Sequence, residues 1–373
     1  MTHGVLAPQR STFTSRVTVN GSRGVAWERP ADWLPVPVPS ASDQRFVGLA
    51  AVFNNGANFI TVRSGVAFKV DWGDGAGWVN YAANTTAEKN LAWSDYSSGT
   101  LTSRGYRQAL VTVEAQSGNL TSLDLQQRHS SVPRAVATAW LDVAVSLPSG
   151  TLTFGGWNVY QSNVERVTIV GVANTSFTAM FQYCSSLQSV PLFNTTAGTN
   201  FTSMFQECSS LQSVPLFNTA NGTGFANMFN GCTSLQSVPA LNTANGTNFS
   251  SMFQYCYSLQ SVPLFNTTAG TNFASMFNGC TSLQSVPLFN TTNGTNFTAM
   301  FGGCYSLQSA ALNGTRYSID YSNAMLSPAE LDAIYTALGT AAGAQTITVT
   351  GNWGTAGDDP SIATAKGWTV AGS

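Results

Sequence analysis

Residues 181–200 read FQYCSSLQSVPLFNTTAGTN, and close copies return at a constant interval of 24 residues. Six units begin at Phe177, Phe201, Phe225, Phe249, Phe273 and Phe297, with no insertions between them. A fixed period of this size is the signature of a solenoid, in which one unit cannot bury its apolar face alone and a stack can. Within a unit, Phe201, Met204, Phe205 and Cys208 fall at i, i+3, i+4 and i+7. That spacing predicts one face of a short helix, with Thr199 or Asn200 as its N-cap. "LQSVPLF" follows, where Leu211, Val214 and Leu216 predict a short extended segment and Pro215 stops any helix. "NTANGTG" then turns the chain. The expectation is an α/β repeat solenoid, a short helix plus a short strand per coil, preceded by an all-β sandwich-like domain.

All six cysteines lie in the repeats: Cys184, Cys208, Cys232, Cys256, Cys280 and Cys304. An even count admits disulfides. The regular stride favours a structural ladder of buried free thiols, because equivalent positions in stacked coils lie side by side rather than facing one another. No CxxC pair or nearby histidine supports a metal site. Met180, Met204, Met228, Met252, Met276 and Met300 read in the same way, as core. The residues flanking each cysteine vary most. If they are exposed, Tyr183, Tyr255, Tyr257 and Tyr305 are the candidate receptor contacts, since tyrosine joins stacking area to a polar tip; drift of a neutral surface is the plainer reading. Asn and Thr in the turns are expected to form stacked ladders.

The chain has 373 residues and only 9% of them are charged, against a usual level of roughly 25%. The net charge of −2 leaves no electrostatic footprint for nucleic acid or an anionic membrane. Glu207 is the single charged residue between Phe177 and Leu312. The two histidines, His3 and His129, give a Ser/His/Asp triad or a histidine metal site almost nothing to draw on. No enzyme activity and no cofactor is expected. No apolar run approaches the ~20 residues of a membrane span. The opening residues carry no apolar export segment, and no cysteine precedes Cys184, so no Sec or lipoprotein signal is expected.

Five segments are expected: an extended attachment arm at 1–40, a β domain at 41–130, N-terminal cap coils at 131–176, the repeats at 177–320 and a C-terminal cap at 321–373. Strand-like runs in the β domain are "RFVGLAAVF", "NFITVRS", "VAFKVDWGDG" and "YRQALVTVEA". In "FKVDWGDG", Asp71 and Asp74 sit in one tight hairpin turn, where self-capping of the backbone is favoured over calcium binding or catalysis. In the C-terminal cap, "SPAELDAIYTAL" predicts a helix with Ser327 as N-cap, Pro328 first and Glu330 third.

The unit "MFxxCxSLQSVPxFNT" resembles the BspA-like leucine-rich repeats of bacterial surface and bacteriophage proteins, over roughly residues 160–330. "VDWGDG" followed by "GYRQALVTVEAQSG" resembles a PKD-type β-sandwich. The opening "APQRSTFTSRVTVNG" and the ending "DDPSIATAKGWTV" are similar to phage-encoded virion proteins. The resemblance implies adhesion or scaffolding and transfers no catalytic residue. It implies a protein on the virion surface, as tail fibre, tail tip or capsid decoration, with a bacterial surface adhesin as the alternative. It also implies virion partners held by the N-terminal arm, a host glycan or protein met by the solenoid, many copies or a homo-oligomer, and neither nucleic acid nor membrane insertion.

Overall fold

The computed structural model describes residues 27–54, 58–125, 127, 129–131, 139–154 and 163–373. Among the described residues, ten strands precede the repeats: β1 Arg45–Val52, β2 Phe59–Arg63, β3 Phe68–Asp71, β4 Trp78–Tyr81, β5 Thr86–Asn90, β6 Arg107–Ala115, β7 Ser122–Asp124, β8 Trp140–Leu147, β9 Thr151–Thr153 and β10 Arg166–Val172. They form a six-stranded sheet, β10-β8-β1-β6-β3-β4, and a four-stranded sheet, β5-β2-β7-β9. Phe46, Val62, Phe68, Val111, Leu123 and Trp140 from the two sheets share one core. The four predicted strand runs are all present, as β1, β2, β3 and β6. β3 and β4 make the expected hairpin, Asp71 opposite Trp78. Asp71 Oδ1 accepts the Gly73 N–H and Asp74 Oδ1 accepts the Ala76 N–H, so each aspartate caps its own turn. The other oxygen of Asp74 is taken by Lys89 at 2.8 Å.

β8 pairs antiparallel with β1 and parallel with β10, and Arg166 at the start of β10 bridges in parallel to Ser189 of the first repeat. One ladder therefore runs from the front domain into the solenoid, across the expected boundary at 130/131. Residues 27–36 cover the outer face of this sheet. Trp33 packs there with Leu49, Ala51, Tyr106 and Leu141. Its indole N–H donates to Tyr106 Oη at 2.7 Å, and Arg29 reaches the buried carboxylate of Asp142 at 2.7 Å. The described end of the expected arm is thus pinned to its own domain. Residues 1–26 lie outside the described residues.

The expected α/β class is corrected in the repeats. The segment from Phe201 to Cys208 is not a helix. Ser203 and Glu207 have left-handed backbone, φ 56° and 62°, and every other described coil repeats one or both of these positions. Alternate amides point to different places. Phe201, Ser203, Phe205 and Glu207 donate to carbonyls of the next coil, while Met204, Gln206 and Cys208 donate three residues back. Such a run of turns, with left-handed residues four apart, gathers i, i+3, i+4 and i+7 onto one face as a helix does, but half its amides bond between coils. The solenoid is mostly β, held by parallel bridges such as Asn200 to Gly224 and Ser261 to Ser285.

Side chains stack in columns. Phe177, Phe201, Phe225, Phe249, Phe273 and Phe297 form one, and Phe181, Phe205, Phe229, Phe253, Phe277 and Phe301 a second. In the second column neighbouring rings lie 5.4 to 5.8 Å apart and nearly parallel, and Tyr321 extends it at 5.0 Å. Thr195, Thr219, Thr243 and Thr267 are buried, and each hydroxyl donates to an asparagine carbonyl of the next coil. The expected Asn/Thr ladders are therefore present.

The C-terminal end holds α1 Pro328–Ala337, α2 Ser361–Thr364 and a three-stranded parallel sheet, β11 Ile319–Asp320, β12 Gln345–Thr348 and β13 Trp368–Ala371. Ser327 caps α1 as expected, its hydroxyl accepting the Glu330 N–H at 3.2 Å. Lys366 Nζ donates to the carbonyls of Tyr335, Thr336 and Leu338, satisfying the far end of the same helix.

Candidate functional site

The six cysteines are free and buried. From Cys208 onward each thiol donates to a phenylalanine carbonyl of the preceding coil: Cys208 to Phe181 at 3.0 Å, Cys232 to Phe205 at 3.1 Å, and so on to Cys304 and Phe277. Burial pushes all six thiols up, Cys304 to about 12. A thiol held as a neutral donor is neither a nucleophile nor a metal ligand at neutral pH. Among the described residues, no three His, Cys, Asp or Glu side chains come together to hold a metal ion. No helix among them is long and apolar enough to cross a membrane.

Tyr255, Tyr257 and Tyr305 are exposed, at 43%, 45% and 60%. Tyr255 and Tyr257 sit together with ring centroids 6.2 Å apart. Tyr305 lies two coils further along the column of Tyr257, and Thr281 stands between them. Tyr183 is half-buried and three coils before Tyr255 in its column, so it is separate from the group. All four candidate contacts therefore lie on one side of the stack, Tyr255 and Tyr257 adjacent, Tyr305 two coils beyond and Tyr183 three coils before.

Tyr255 keeps a left-handed backbone, φ 60°, at a position where three other coils carry glycine. Its ring covers the glycine of the next coil: a Cβ on Gly279 would come within 2.6 Å of Tyr255 Cδ1. Glu207 stands in the same relation to Gly231, and burial raises the pKa of its carboxyl.

Sequence reasoning missed a second exposed row. Leu192, Leu216, Leu264 and Leu288 are 58% to 63% exposed, with Ala240 at the same position in the coil between them. Leu216 falls in the segment whose apolar residues predict an extended run. Within it Val214 and Phe217 turn inward, and Leu216 turns out. Two adjacent residues of an extended segment point to opposite faces, so "LF" cannot be buried whole. A shallow groove of about 360 Å³ lies between Leu264 and Leu288 and is lined by Asn266, Thr268 and Asn290. Between Phe177 and Leu312 the surface is therefore uncharged apart from Glu207, with one tyrosine group and one leucine row.

Residues 153–262 and 217–314 match a protein-family model described as "Mycoplasma protein of unknown function, DUF285". The two matches overlap and together cover under half of the chain. No curated protein matches it. Match and solenoid together fit a BspA-like repeat protein of surface or adhesin-like type.

Proposed function

We propose that this chain is a non-enzymatic structural protein of a tailed bacteriophage virion, a tail fibre, tail tip or capsid decoration, that displays its solenoid for adhesion to the host surface. The observation that carries the adhesive part is the Tyr255, Tyr257 and Tyr305 group, exposed on a nearly uncharged stack that is joined by β10 to the front domain. The β ladder carries the stack on the front domain, and repeated weak contacts add through avidity. The phage part is supported by the similarity of the opening and closing segments to virion proteins. In this reading residues 1–40 attach to other virion proteins, the β domain is PKD-like, and the protein is present in many copies on the particle surface. It meets a host glycan or protein, without nucleic acid, cofactor or membrane insertion.

The test has two parts. Mass spectrometry and immunogold labelling of purified particles should find the chain on the virion, and absence from particles would sink the phage assignment. Purified full-length protein should bind host cells saturably, and replacing Tyr183, Tyr255, Tyr257 and Tyr305 by serine should reduce binding. No binding by the intact protein would leave a decoration or spacer. A second reading, a bacterial cell-surface adhesin, is favoured by the family match to a mycoplasma protein. Detection on bacterial cells free of phage would establish it.

A further inference from the structure

Where the front domain meets the first coils there is a cleft of about 380 Å³, within the range of small-ligand sites. One wall is aromatic: Trp27, Phe53 and Tyr106. It is preorganised. Trp27 packs on Trp33 with centroids 6.5 Å apart, Trp33 donates to the Tyr106 hydroxyl, and Phe53 meets Tyr106 edge-on at 5.3 Å. The facing wall comes from the first coils and presents Ser186, Gln188 and Ser210. Among the described residues, the side chains of these three make no hydrogen bond, so their donors and acceptors face the cleft unused.

The charges in the cleft cancel. Arg104 Nη1 lies 2.5 Å from Glu165 Oε1, and Glu165 Oε2 accepts the Trp27 indole N–H at 3.1 Å. Nothing is left over to attract an anion or a cation. A ligand that fits must be uncharged, with one flat apolar face for the aromatic wall and hydroxyl or amide groups along the other edge. A pyranose ring has this shape: its C–H face stacks on aromatic rings while its hydroxyls meet serine and glutamine. The serine and glutamine rows continue down the solenoid, through Gln212 and Gln236, but the aromatic wall belongs to the front domain and meets them at the first coils.

We infer that this cleft binds a short stretch of an uncharged hexose or N-acetylhexosamine chain. The inference gives the adhesive reading its ligand class and rests on that reading for its biological meaning, but the site is apart from the tyrosine group.

Full-length protein should be titrated with maltotriose, with tri-N-acetylchitotriose and with a β-linked galactotriose, followed by calorimetry and tryptophan fluorescence. Saturable binding of at least one is expected. Trp27→Ala and Gln188→Ala should each weaken it roughly tenfold, the worth of one stacked ring or of one hydrogen bond at its upper range. Trp353→Ala, an exposed indole in the C-terminal cap, should leave it unchanged. If Trp27→Ala loosens the front domain, seen as a lowered melting temperature, Gln188→Ala still decides, because it removes a side chain with no structural bond. No saturable binding to any of the three, or undiminished binding by Gln188→Ala, overturns the site. Cell adhesion without sugar binding would remove the cleft and keep the adhesive function. Sugar binding without cell adhesion would do the reverse.

Discussion

On β8 of the front domain's six-stranded sheet, Asp142 is 1% exposed and is answered by Arg29 at 2.7 Å and Arg166 at 3.6 Å. At the same depth in the repeat block, Phe229 lies between Phe205 at 5.6 Å and Phe253 at 5.5 Å. Among the described residues, every ion pair falls between Arg29 and Arg166, none in the repeats. The front domain is specified by contacts that occur once and have a single correct partner. The repeat block is specified by one contact made again in each coil. The first arrangement fixes a unique register. The second gives a long flat-sided stack from little sequence information, and it leaves the outward positions free to vary without disturbing the core.

The largest expected effect breaks the repeated contact. Phe229→Ala should lower stability by about 3–5 kcal/mol, since the coil backbones are bonded on both sides and cannot close the gap. Urea unfolding of the full chain measures it. A loss under about 1 kcal/mol would mean that the coils rearrange, and the picture of a rigid stack would go. Next is the unique contact. Arg29→Ala should cost about 2–3 kcal/mol, somewhat below the usual value for a half-removed buried pair because Arg166 remains near Asp142. It should also free residues 27–36 for proteolysis while the repeats stay resistant. Equal resistance of both regions would show that the arm is held by Trp33 and not by the ion pair.

What could be read from the sequence divides along the same line. Phe201, Met204, Phe205 and Cys208 declare a buried face, and they are buried. Their spacing misassigns the backbone, because a run of turns and a helix both gather such residues on one side. One signal argued against the helix: glycine at Gly231, Gly279 and Gly303 recurs at one phase, where a helix disfavours it. In the front domain, β6 is legible from its alternation, whereas β4 and β5 are edge strands with exposed or polar residues and carry no periodic mark. Tyr255 and Tyr257, two apart, could be proposed as neighbours. The cleft could not, because Trp27, Tyr106 and Gln188 meet only through the β10 joint.

A smaller effect per site separates the two regions by pH. Burial holds each repeat thiol protonated well above the unfolded value of about 8.5. A raised folded pKa contributes stability that is complete below the unfolded pKa and is lost as pH rises through 8.5 toward the folded value. Unfolding midpoints of the repeats should hold to about pH 8 and then fall, by up to about 1.4 kcal/mol per pH unit for each thiol. Cys232→Ala should lose about 1 kcal/mol at neutral pH and flatten the alkaline slope by one thiol's share. The front domain, which has no cysteine, should show no such break. An identical alkaline slope in Cys232→Ala would remove the thiols as its cause.

The smallest expected effect concerns the residue before each cysteine. Its backbone is left-handed in all six units, with φ 63° at Tyr183, 62° at Glu207, 74° at Gly231, 60° at Tyr255, 76° at Gly279 and 74° at Gly303. Glycine takes this conformation freely, while other residues pay roughly 1 kcal/mol. Glu207→Gly should therefore raise stability by under about 1 kcal/mol, the gain offset in part by the greater freedom of glycine in the unfolded chain. Gly303→Ala, where an added Cβ would lie 3.4 Å from Gly279 Cα, should lower it by a similar amount. Tyr255→Gly is the informative case. If the tyrosine is kept for contact, its removal should stabilise the stack slightly and weaken cell binding, so that stability and adhesion move in opposite directions. If stability falls and binding holds, the ring over Gly279 is packing between coils, and the outward face of the repeats carries its contacts elsewhere, with the leucine row next in line.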